Sequence, residues 1–369
     1  MKIGVNGFFL RHLGTGIGQY LHHILLRMME HSDHQWVIYV PYTESLNIPE
    51  LQAYIHYVSP WRKGDNLGHR VVWEWVQMSW LIRKDHLDVL WSPSPSMTSI
   101  PGSMRSVVSV HDVIPWRFPE YQGSRKERWY TTQVELNLKR RDHEILTVSE
   151  FSKSEVQDVF GVQDQAITVT HLAPAKQLSA FIEPTDLQEI QCIYVGGMDK
   201  RKNLDRLLQA LKYLQDEYQI SLSLLITGKY REHPLNPPIP ELIEQYGVTD
   251  SVTMTGFLSE EDLIQSIAQA DILVYPSLYE GFGLPILEGM ALDTPVITSD
   301  RGAMREVAGE AAFLIDPESV SDIAKALYTL ATDTPLRQYY RQQGRQRVQE
   351  FSWDACARET LAVLQKERY

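Results

Sequence analysis

The sequence predicts an α/β protein made of two domains, each a doubly wound parallel sheet. The chain has 369 residues, and a chain of this length is expected to form two domains of about 170–190 residues each. In both halves, short apolar runs bounded by turn residues alternate with stretches of helical periodicity. This alternation is typical of parallel strands joined by crossover helices.

In the first half, the apolar runs predict strands at residues 2–6, 36–40, 55–58, 88–91, 106–110, 145–148 and 166–170. The stretch from Leu67 to about Lys84 has the apolar spacing of a helix. We interpret its tryptophans as core and helix packing rather than as a ligand-binding box. These elements define a predicted N-terminal domain of residues 1–173.

Residues 174–188 lack a clear periodicity and contain prolines, so they are predicted to link the domains. The second half then predicts strands at residues 192–195, 222–226, 252–255, 271–275, 295–298 and 312–315. This pattern defines a C-terminal domain of residues 189–350. The last residues, 351–369, are predicted to form an amphipathic helix.

The composition disfavours several classes of function. The net charge of −12 argues against a nucleic-acid partner, so a phosphate site must be basic only locally. Cys192 and Cys356 lack a metal-ligand spacing, and no apolar stretch approaches the ~20 residues of a membrane helix. The first strand begins at Lys2 with no signal peptide before it. We therefore expect a protein of the reducing cytoplasm.

Cations are frequent along the predicted helical region of residues 120–142: Arg125, Lys126, Arg128, Lys139, Arg140 and Arg141. Such a run is most often a solvated face, and Glu127, Glu135 and Asp142 balance it here. A surface for anionic lipid head groups or for a lipid-diphosphate acceptor is the alternative. A peripheral membrane contact therefore stays open.

The most informative stretch is Tyr275-Pro-Ser-Leu-Tyr-Glu-Gly-Phe-Gly-Leu-Pro-Ile-Leu-Glu288. It predicts the end of a buried strand, a glycine loop and a helix whose first turn contains Pro285. The N-terminus of a helix has unpaired N–H groups and a positive dipole end, which together favour anions. Glu280 and Glu288 flank this anion site, an arrangement that suits a ligand with both phosphates and hydroxyls.

A second stretch, Val195-Gly-Gly-Met-Asp-Lys-Arg-Lys-Asn-Leu204, again predicts a strand, glycines and a helix N-terminus. The positive end of a helix repels cations, so Lys200, Arg201 and Lys202 are unfavourable there unless an anion binds. This conflict between the local rule and the sequence indicates a site. A solvated basic turn is the alternative.

The 275–288 stretch, with two glutamates flanking Gly-Phe-Gly-Leu-Pro, resembles the signature of family four of the retaining glycosyltransferases. The segments 195–204, 301–309 and 111–120 extend this resemblance over nearly the whole chain, and the last segment is similar to members that assemble polysaccharides. The resemblance implies the GT-B architecture, with two Rossmann-like domains facing across a cleft. The N-terminal domain would then serve the acceptor and the C-terminal domain the nucleotide sugar. The C-terminal helix would pack back on the N-terminal domain.

The resemblance also implies roles for residues. Lys202, with Arg201 as the substitute for a second family cation, would bind the donor diphosphate. Glu280 would hold sugar hydroxyls, Glu288 the ribose hydroxyls, and His111 the donor sugar. The remaining predicted donor contacts are Gly16, Gly197, Gly228, Phe257, Leu258, Gly281, Phe282, Gly283 and Leu284.

The predicted reaction is transfer of a hexose from a nucleotide sugar to a saccharide or lipid-linked saccharide acceptor in cell-surface polysaccharide synthesis. UDP-glucose is the first candidate donor and GDP-mannose the second. The leaving diphosphate gains negative charge, which fixed cations and a helix end can stabilise. The sequence lacks an Asp-x-Asp metal motif, so no metal or other cofactor is expected. Anomeric retention would proceed by front-face displacement, because no carboxylate is established as a nucleophile.

Three other functions remain compatible with paired parallel sheets. A sugar-nucleotide epimerase would need an acid/base pair at the sugar ring and would use no acceptor. A non-catalytic nucleotide-sugar-binding subunit is disfavoured, because both glutamates and Lys202 are present. A dehydrogenase is disfavoured because Gly14, Gly16 and Gly18 do not match Gly-x-Gly-x-x-Gly.

Overall fold

The computed structural model describes residues 1–13, 15–41, 46, 48–57, 67–102, 104–139, 143–174 and 190–366. The chain divides into two compact units. Unit 1 comprises Met1–Leu172 and Ser352–Tyr369, and unit 2 comprises Ala173–Phe351. Apart from Pro174, the predicted linker of residues 174–188 lies outside the described residues.

The described strands of unit 1 form one parallel sheet. They are β1 (Lys2–Asn6), β2 (Gln35–Val40), β3 (Ile55–Tyr57), β4 (Val89–Ser92), β5 (Arg105–Val110), β6 (Glu144–Thr147) and β7 (Ile167–Val169). Their order in the sheet is β3-β2-β1-β4-β5-β6-β7. The order reverses between β1 and β4, and such a reversal leaves a crevice at the carboxyl ends of the strands.

The helices of unit 1 that precede the second unit are α1 (Gly16–Glu30), α2 (Leu67–Val71), α3 (Ser79–Lys84), α4 (Ile114–Arg117), α5 (Arg125–Lys139) and α6 (Glu150–Phe160). The predicted helix of residues 120–142 therefore begins later, at Arg125, and residues 140–142 lie outside the described part of the chain. Ser149 caps α6, as its sequence indicates, by accepting a hydrogen bond from the Ser152 N–H at 2.9 Å.

Helices α2 and α3 are joined by a π-helical segment, Val72–Met78, and this segment overturns one prediction. Trp73 is 2% exposed and lies in the core, but Trp75 is 54% and Trp80 61% exposed. The prediction that the three tryptophans pack in the core is therefore wrong for Trp75 and Trp80. A π-helix has more residues per turn than an α-helix. Apolar positions spaced for an α-helix therefore do not all fall on the buried face.

The described strands of unit 2 form a second parallel sheet. They are β8 (Gln191–Val195), β9 (Ser223–Thr227), β10 (Val252–Gly256), β11 (Ile272–Tyr275), β12 (Val296–Ser299) and β13 (Phe313–Ile315). Their order is β10-β9-β8-β11-β12-β13, with the reversal between β8 and β11. In both sheets every predicted strand is confirmed, with ends that differ by at most one residue.

The helices of unit 2 are α7 (Leu204–Tyr213), α8 (Ile239–Gln245), α9 (Glu260–Gln269), α10 (Leu284–Ala291), α11 (Gly302–Ala308), α12 (Val320–Thr332) and α13 (Thr334–Val348). Helix α7 begins after Asn203 and buries the leucines that its spacing predicts: Leu204, Leu207, Leu208 and Leu211. Ser259 caps α9, as predicted, by accepting from the Asp262 N–H at 3.1 Å.

The last helix, α14 (Trp353–Gln365), is part of unit 1. The ring of Trp353 stacks on His23 of α1 at 5.0 Å between centroids, and Asp354 lies 3.2 Å from Arg27. At the other end of α14, the Arg105 guanidinium donates to the carbonyls of Val363 and Leu364 at 2.8 and 2.9 Å. No helix in the described part of the chain is sufficiently long and apolar to span a membrane.

Candidate functional site

The main candidate site of unit 2 lies where the order of its sheet reverses. The loops after β8 and β11 are adjacent, and the Leu278 N–H donates to the Arg201 carbonyl at 2.7 Å. The buried Asn203 side chain donates to the carbonyls of Pro276 at 3.0 Å and Pro317 at 2.7 Å. Asn203 has φ of +62°, a conformation that asparagine tolerates better than most residues. It thus fastens three loops at one point.

Lys202 and Glu280 form an ion pair at this junction, with 2.7 Å between Nζ and Oε1. Lys202 also donates to the Tyr275 hydroxyl at 2.8 Å. Their side chains are only 14% and 12% exposed. Burial is the largest influence on the pKa of Lys202 and would by itself lower it, but the Glu280 carboxylate and the Tyr194 hydroxyl together raise that pKa above its usual value. Lys202 therefore keeps its positive charge in this buried position.

Arg201 belongs to the same cluster. Its Nε lies 3.1 Å from Asp199 Oδ1, and its guanidinium donates to the Tyr279 carbonyl at 3.1 Å. It lies 4.0 Å from the Glu280 carboxylate. Asp199 also accepts from the Arg201 N–H, at 3.2 Å, and so begins the 3₁₀ turn Lys200–Lys202. The structure thus brings the two predicted diphosphate cations together, while Lys200 is exposed.

The ends of the neighbouring strands β8, β9 and β10 come close together at Gly228. Gly228 has φ of +115°, and a Cβ there would lie 2.3 Å from the Gly196 carbonyl oxygen. The Gly228 N–H donates to the Gly256 carbonyl at 2.9 Å. Glycine is therefore required at position 228 both for its conformation and for space. Gly197 is exposed, and its carbonyl accepts from the Tyr194 hydroxyl.

The two predicted base contacts follow β10. Phe257 is 79% exposed, and Leu258 is half-buried. Their predicted roles remain predictions.

Helix α10 begins beside the ion pair. Gly283 has φ of +107° and precedes the helix, Pro285 lies in its first turn, and within the described residues no side chain caps it. Gly281 is half-buried, while Phe282 is 4% exposed and packs edge-to-face on Phe351 at 6.0 Å. In the first turn, Pro285 has no N–H, and the Ile286 N–H donates to the Gly283 carbonyl at 3.0 Å. The Leu284 N–H and the positive end of the helix dipole are therefore what this turn offers to an anion.

Glu288 lies one turn further along α10. Burial raises the pKa of Glu288 to about 7, and the carboxylate of Glu260 adds to this effect. The described residues provide its carboxylate with neither a hydrogen bond nor an ion pair. A half-buried acid without a partner is a candidate for ligand binding.

The sheet of unit 1 has its own cavity where the strand order reverses, after β1, β4 and β5. It has a volume of about 200 Å³, and its lining includes Phe9, Ile17, Arg70, His111, Asp112 and Trp116. His111 lies 3.0 Å from the Pro93 carbonyl through Nε2, and its ring meets Tyr20 edge-on at 4.5 Å. Burial lowers the pKa of His111 to about 4, so the ring is neutral at neutral pH.

Gly16 is the first residue of α1 and is exposed, and a Cβ there would meet no atom within 4 Å. At Gly18, in contrast, a Cβ would lie 2.1 Å from the His12 carbonyl oxygen. The fold therefore requires glycine at Gly18, whereas Gly16 has no local structural reason to be glycine. Gly14 lies outside the described residues.

Arg70, in the cavity lining, was missed from the sequence. Its Nε lies 2.8 Å from Glu74, and the ring of Tyr130 is 5.1 Å from the guanidinium carbon. Glu74 is 1% exposed and accepts hydrogen bonds from the Met97 N–H at 3.0 Å and the Tyr130 hydroxyl at 2.8 Å. A sequence signal was available, since Glu74 stands on an otherwise apolar helix face, four residues from Arg70.

Two doubly wound sheets, each with a polar site at its switch point, define an α/β protein of the nucleotide-binding type. Residues 175–347 match the family model described as glycosyl transferases group 1, and residues 14–173 match glycosyltransferase family 4. The chain is 32% identical over 266 residues to "O-antigen chain mannosyltransferase B" of Escherichia coli, covering 70% of this chain and 69% of that protein. This chain belongs to the family-four type of glycosyltransferases.

Further comparisons agree. "MMP alpha-(1->4)-mannosyltransferase" of Mycolicibacterium hassiacum is 32% identical over 259 residues, which cover 68% of this chain and 60% of that protein. The crystal structure of WaaG, a glycosyltransferase involved in lipopolysaccharide biosynthesis, aligns over 100% of both chains with a TM-score of 0.75 and 16% identity. At this identity the likeness shows the GT-B fold alone. The resemblance drawn from the sequence is thus confirmed, and the protein is a glycosyltransferase of the type that assembles polysaccharides.

Proposed function

We propose that this enzyme transfers a mannosyl residue, with retention of anomeric configuration, from GDP-mannose to a saccharide or lipid-linked saccharide acceptor. The sequence alone ranked UDP-glucose first. The mannosyltransferase names of the relatives now favour mannose, and UDP-glucose becomes the alternative donor. The observation that carries the proposal is the cluster of Lys202, Arg201 and Glu280 beside the open N-terminus of α10.

The cluster is balanced before the donor binds, with two cations against Asp199 and Glu280. A diphosphate that approaches the end of α10 adds negative charge, so Lys202 and Arg201 gain by turning towards it. Glu280 is then released to accept hydrogen bonds from sugar hydroxyls. This exchange of partners would bring donor recognition and phosphate binding into one step.

Glu288 is proposed to accept hydrogen bonds from the ribose hydroxyls. Only the carboxylate form accepts two such bonds, and its raised pKa of about 7 leaves part of the protein in the acid form near neutrality. The loops at Gly228, Phe257 and Leu258 are proposed to face the base. Neutral His111 is proposed to hydrogen-bond a hydroxyl of the donor sugar.

In the proposed reaction, the bond between the anomeric carbon and the phosphate oxygen breaks, and the acceptor oxygen forms the new bond from the same face. The acceptor proton passes to the departing phosphate oxygen. Lys202, Arg201 and the N-terminus of α10 stabilise the charge that develops on the diphosphate. No bound metal or other cofactor is required in this proposal.

The test is a transfer assay with GDP-mannose and UDP-glucose, each with a mannose-terminated acceptor. Proton NMR of the purified product would give the anomeric configuration of the new glycosidic bond. We expect GDP release coupled to an α-linked product from the α-linked donor. A β-linked product would contradict retention, and transfer from UDP-glucose alone would replace the proposed donor. An epimerised sugar nucleotide without acceptor would identify an epimerase instead.

A cytoplasmic enzyme that uses a lipid-linked acceptor would work at the membrane face, and we propose this location. Exposed Arg125, Lys126 and Arg128 on α5 have no ion-pair partners among the described residues, and such cations attract anionic head groups. Sedimentation with anionic vesicles, weakened by salt, would support the location. Equal sedimentation with neutral vesicles would contradict an electrostatic contact.

A further inference from the structure

Two tryptophans of unit 1 stand open to solvent beside one another. Trp75 lies on the π-helical segment and is 54% exposed, and Trp129 lies on α5 and is 46% exposed. Both line a groove of about 320 Å³ on this unit. Indole is among the most expensive surfaces to leave in water, so two in one groove indicate a ligand.

The rest of the groove provides uncharged hydrogen-bonding groups. Gln133 makes no hydrogen bond through its amide among the described residues. Asn137 donates its amide to the Ser96 carbonyl at 2.9 Å, and its side-chain oxygen remains available. Ser99 accepts from Arg83 at 3.2 Å and can donate its own proton. Among the described residues, no side chain that lines the groove carries a charge.

The walls are held in place by buried contacts. Glu74, in the π-helical segment, accepts from the Met97 N–H and from the Tyr130 hydroxyl of α5. The Ser79 hydroxyl, at the start of α3, accepts from the Ser99 N–H at 2.8 Å. The three walls of the groove therefore keep their spacing without a ligand, which lowers the entropic cost of binding one.

Helix α5 separates this groove from the His111 cavity. Tyr130, Thr131 and Val134 face the cavity, whereas Trp129, Gln133 and Asn137 face the groove. The two sites share no lining residue. The groove is thus a separate site on the same unit.

A pyranose ring fits the chemistry of the groove. It has a face of C–H groups, which can stack on an indole, and a rim of hydroxyls, which suits neutral amides and hydroxyls. An anionic ligand would find no cation among the described residues that line the groove. We propose that the groove, here called the tryptophan groove, binds one hexose unit of a saccharide chain. The choice of saccharide rests on the proposed function, and the bound unit would lie away from the reacting end of the acceptor.

The experiment measures binding without any donor present. A linear α-linked mannotetraose and maltotetraose would be titrated into the full chain, with binding followed by saturation-transfer NMR and calorimetry. We expect binding of at least one of them, weakened by about tenfold in Trp75→Ala and in Trp129→Ala. Gln133→Met, which keeps the size and removes the amide, should weaken it by a smaller factor.

Trp80→Ala is the matched control. Trp80 is 61% exposed on the same helical stretch but does not line the groove. A saccharide site predicts unchanged binding in this variant. If neither tetrasaccharide binds, or if Trp80→Ala weakens binding as much as Trp75→Ala does, the proposal is wrong. Loss of vesicle binding in all three tryptophan variants, without saccharide binding, would instead assign the surface to a membrane.

Failure of the proposed function gives a different pattern. If no hexose is transferred but the tetrasaccharide still binds in a Trp75-dependent way, the saccharide site is supported and the proposed reaction is wrong. If transfer proceeds but a tetrasaccharide acceptor shows the same KM in native protein and Trp75→Ala, the groove does not serve the acceptor chain. Affinity for GDP should be equal in all groove variants, and melting temperatures equal to that of the native protein would show that unit 1 folds in each of them.

Discussion

The two units use the same sheet order around their switch points but place different chemistry there. The site of unit 2 is ionic: Lys202, Arg201, Asp199 and Glu280 form a cluster beside a helix N-terminus. The cavity of unit 1 combines aromatic rings such as Trp116 with a neutral His111 and a cation, Arg70, already paired to a buried acid. One topology thus places an ionic cluster at the switch point of one unit and a neutral, partly aromatic cavity at that of the other.

The largest expected effect separates two roles within the ionic site. Glu280→Gln should lower kcat/KM by about 10²–10³, the usual result of removing one group that holds the reacting substrate. Affinity for the nucleoside diphosphate should stay equal or rise, because Lys202 loses the competing carboxylate. Steady-state kinetics and calorimetry would measure the two effects. Glu310→Gln, an exposed acid paired with Arg305, is the control.

Equal losses of nucleotide affinity and of kcat/KM in Glu280→Gln would contradict this separation. They would mean that the Lys202–Glu280 pair acts only by stabilising the conformation of the loop. A lower melting temperature in the same variant would point to that cause.

In unit 1, the buried acid is expected to be structural. Glu74→Gln should destabilise the protein by about 2–3 kcal/mol, because Arg70 loses its partner and the Met97 and Tyr130 donors lose an ionised acceptor. Affinity for GDP should not change, since no residue of unit 2 is altered. Urea denaturation would measure the loss of stability, and GDP titration would measure the affinity. A change in GDP affinity would contradict the claim that the buried acid of unit 1 is only structural.

Backbone geometry gives a matched pair of glycines in unit 2. Gly228→Ala should cost about 3 kcal/mol, because its Cβ would lie 2.3 Å from the Gly196 carbonyl oxygen at a φ of +115°. Gly247 has a φ of +65° with no atom within 4 Å of a Cβ, so Gly247→Ala should cost only about 1 kcal/mol. Denaturant unfolding would compare them, and equal costs would show that the strand ends are less crowded than described.

The smallest expected effect is a pH dependence from Glu288. Burial raises its folded pKa to about 7, above the unfolded value. Its contribution to stability is therefore present below the unfolded pKa and is lost as pH rises through about 7. Ligand binding should show the opposite trend, because ribose hydroxyls need the carboxylate. GDP affinity should rise up to about tenfold between about pH 6 and about pH 8. Glu288→Gln should remove this rise, and an unchanged profile in that variant would exclude Glu288 as its source.

The ionic site could be predicted because each part of it is contiguous in sequence. Residues 195–204 and 275–288 each contain a strand, a glycine turn and a helix start, and the order of a doubly wound sheet brings such loops together. The direct pairing of Lys202 with Glu280 could not be predicted, because it depends on which side chain finds a partner when no ligand is bound.

Most of the cavity and of the tryptophan groove of unit 1 could not be predicted from the sequence. Arg70 and Glu74 lie on one helical stretch, but Tyr130, which completes their cluster, comes from α5 without a shared motif. Trp75 and Trp80 were assigned to the core because the spacing was interpreted as an α-helix, whereas Trp75 lies on the π-helical segment, Trp80 follows it on α3, and both are exposed. Contacts with residues far apart in sequence hold this stretch, since Glu74 accepts from the Met97 N–H and Ser79 from the Ser99 N–H.

The central claim is that fixed cations of unit 2 bind the donor diphosphate without a metal. The most direct measurement is calorimetric titration of GDP, with a chelator present, into native protein, Lys202→Met and Lys200→Met. We expect tight binding by native protein and by Lys200→Met, since Lys200 is exposed on the same turn, and a loss of about 10²-fold in Lys202→Met. Binding that needs added magnesium, or equal binding by all three proteins, would contradict the claim.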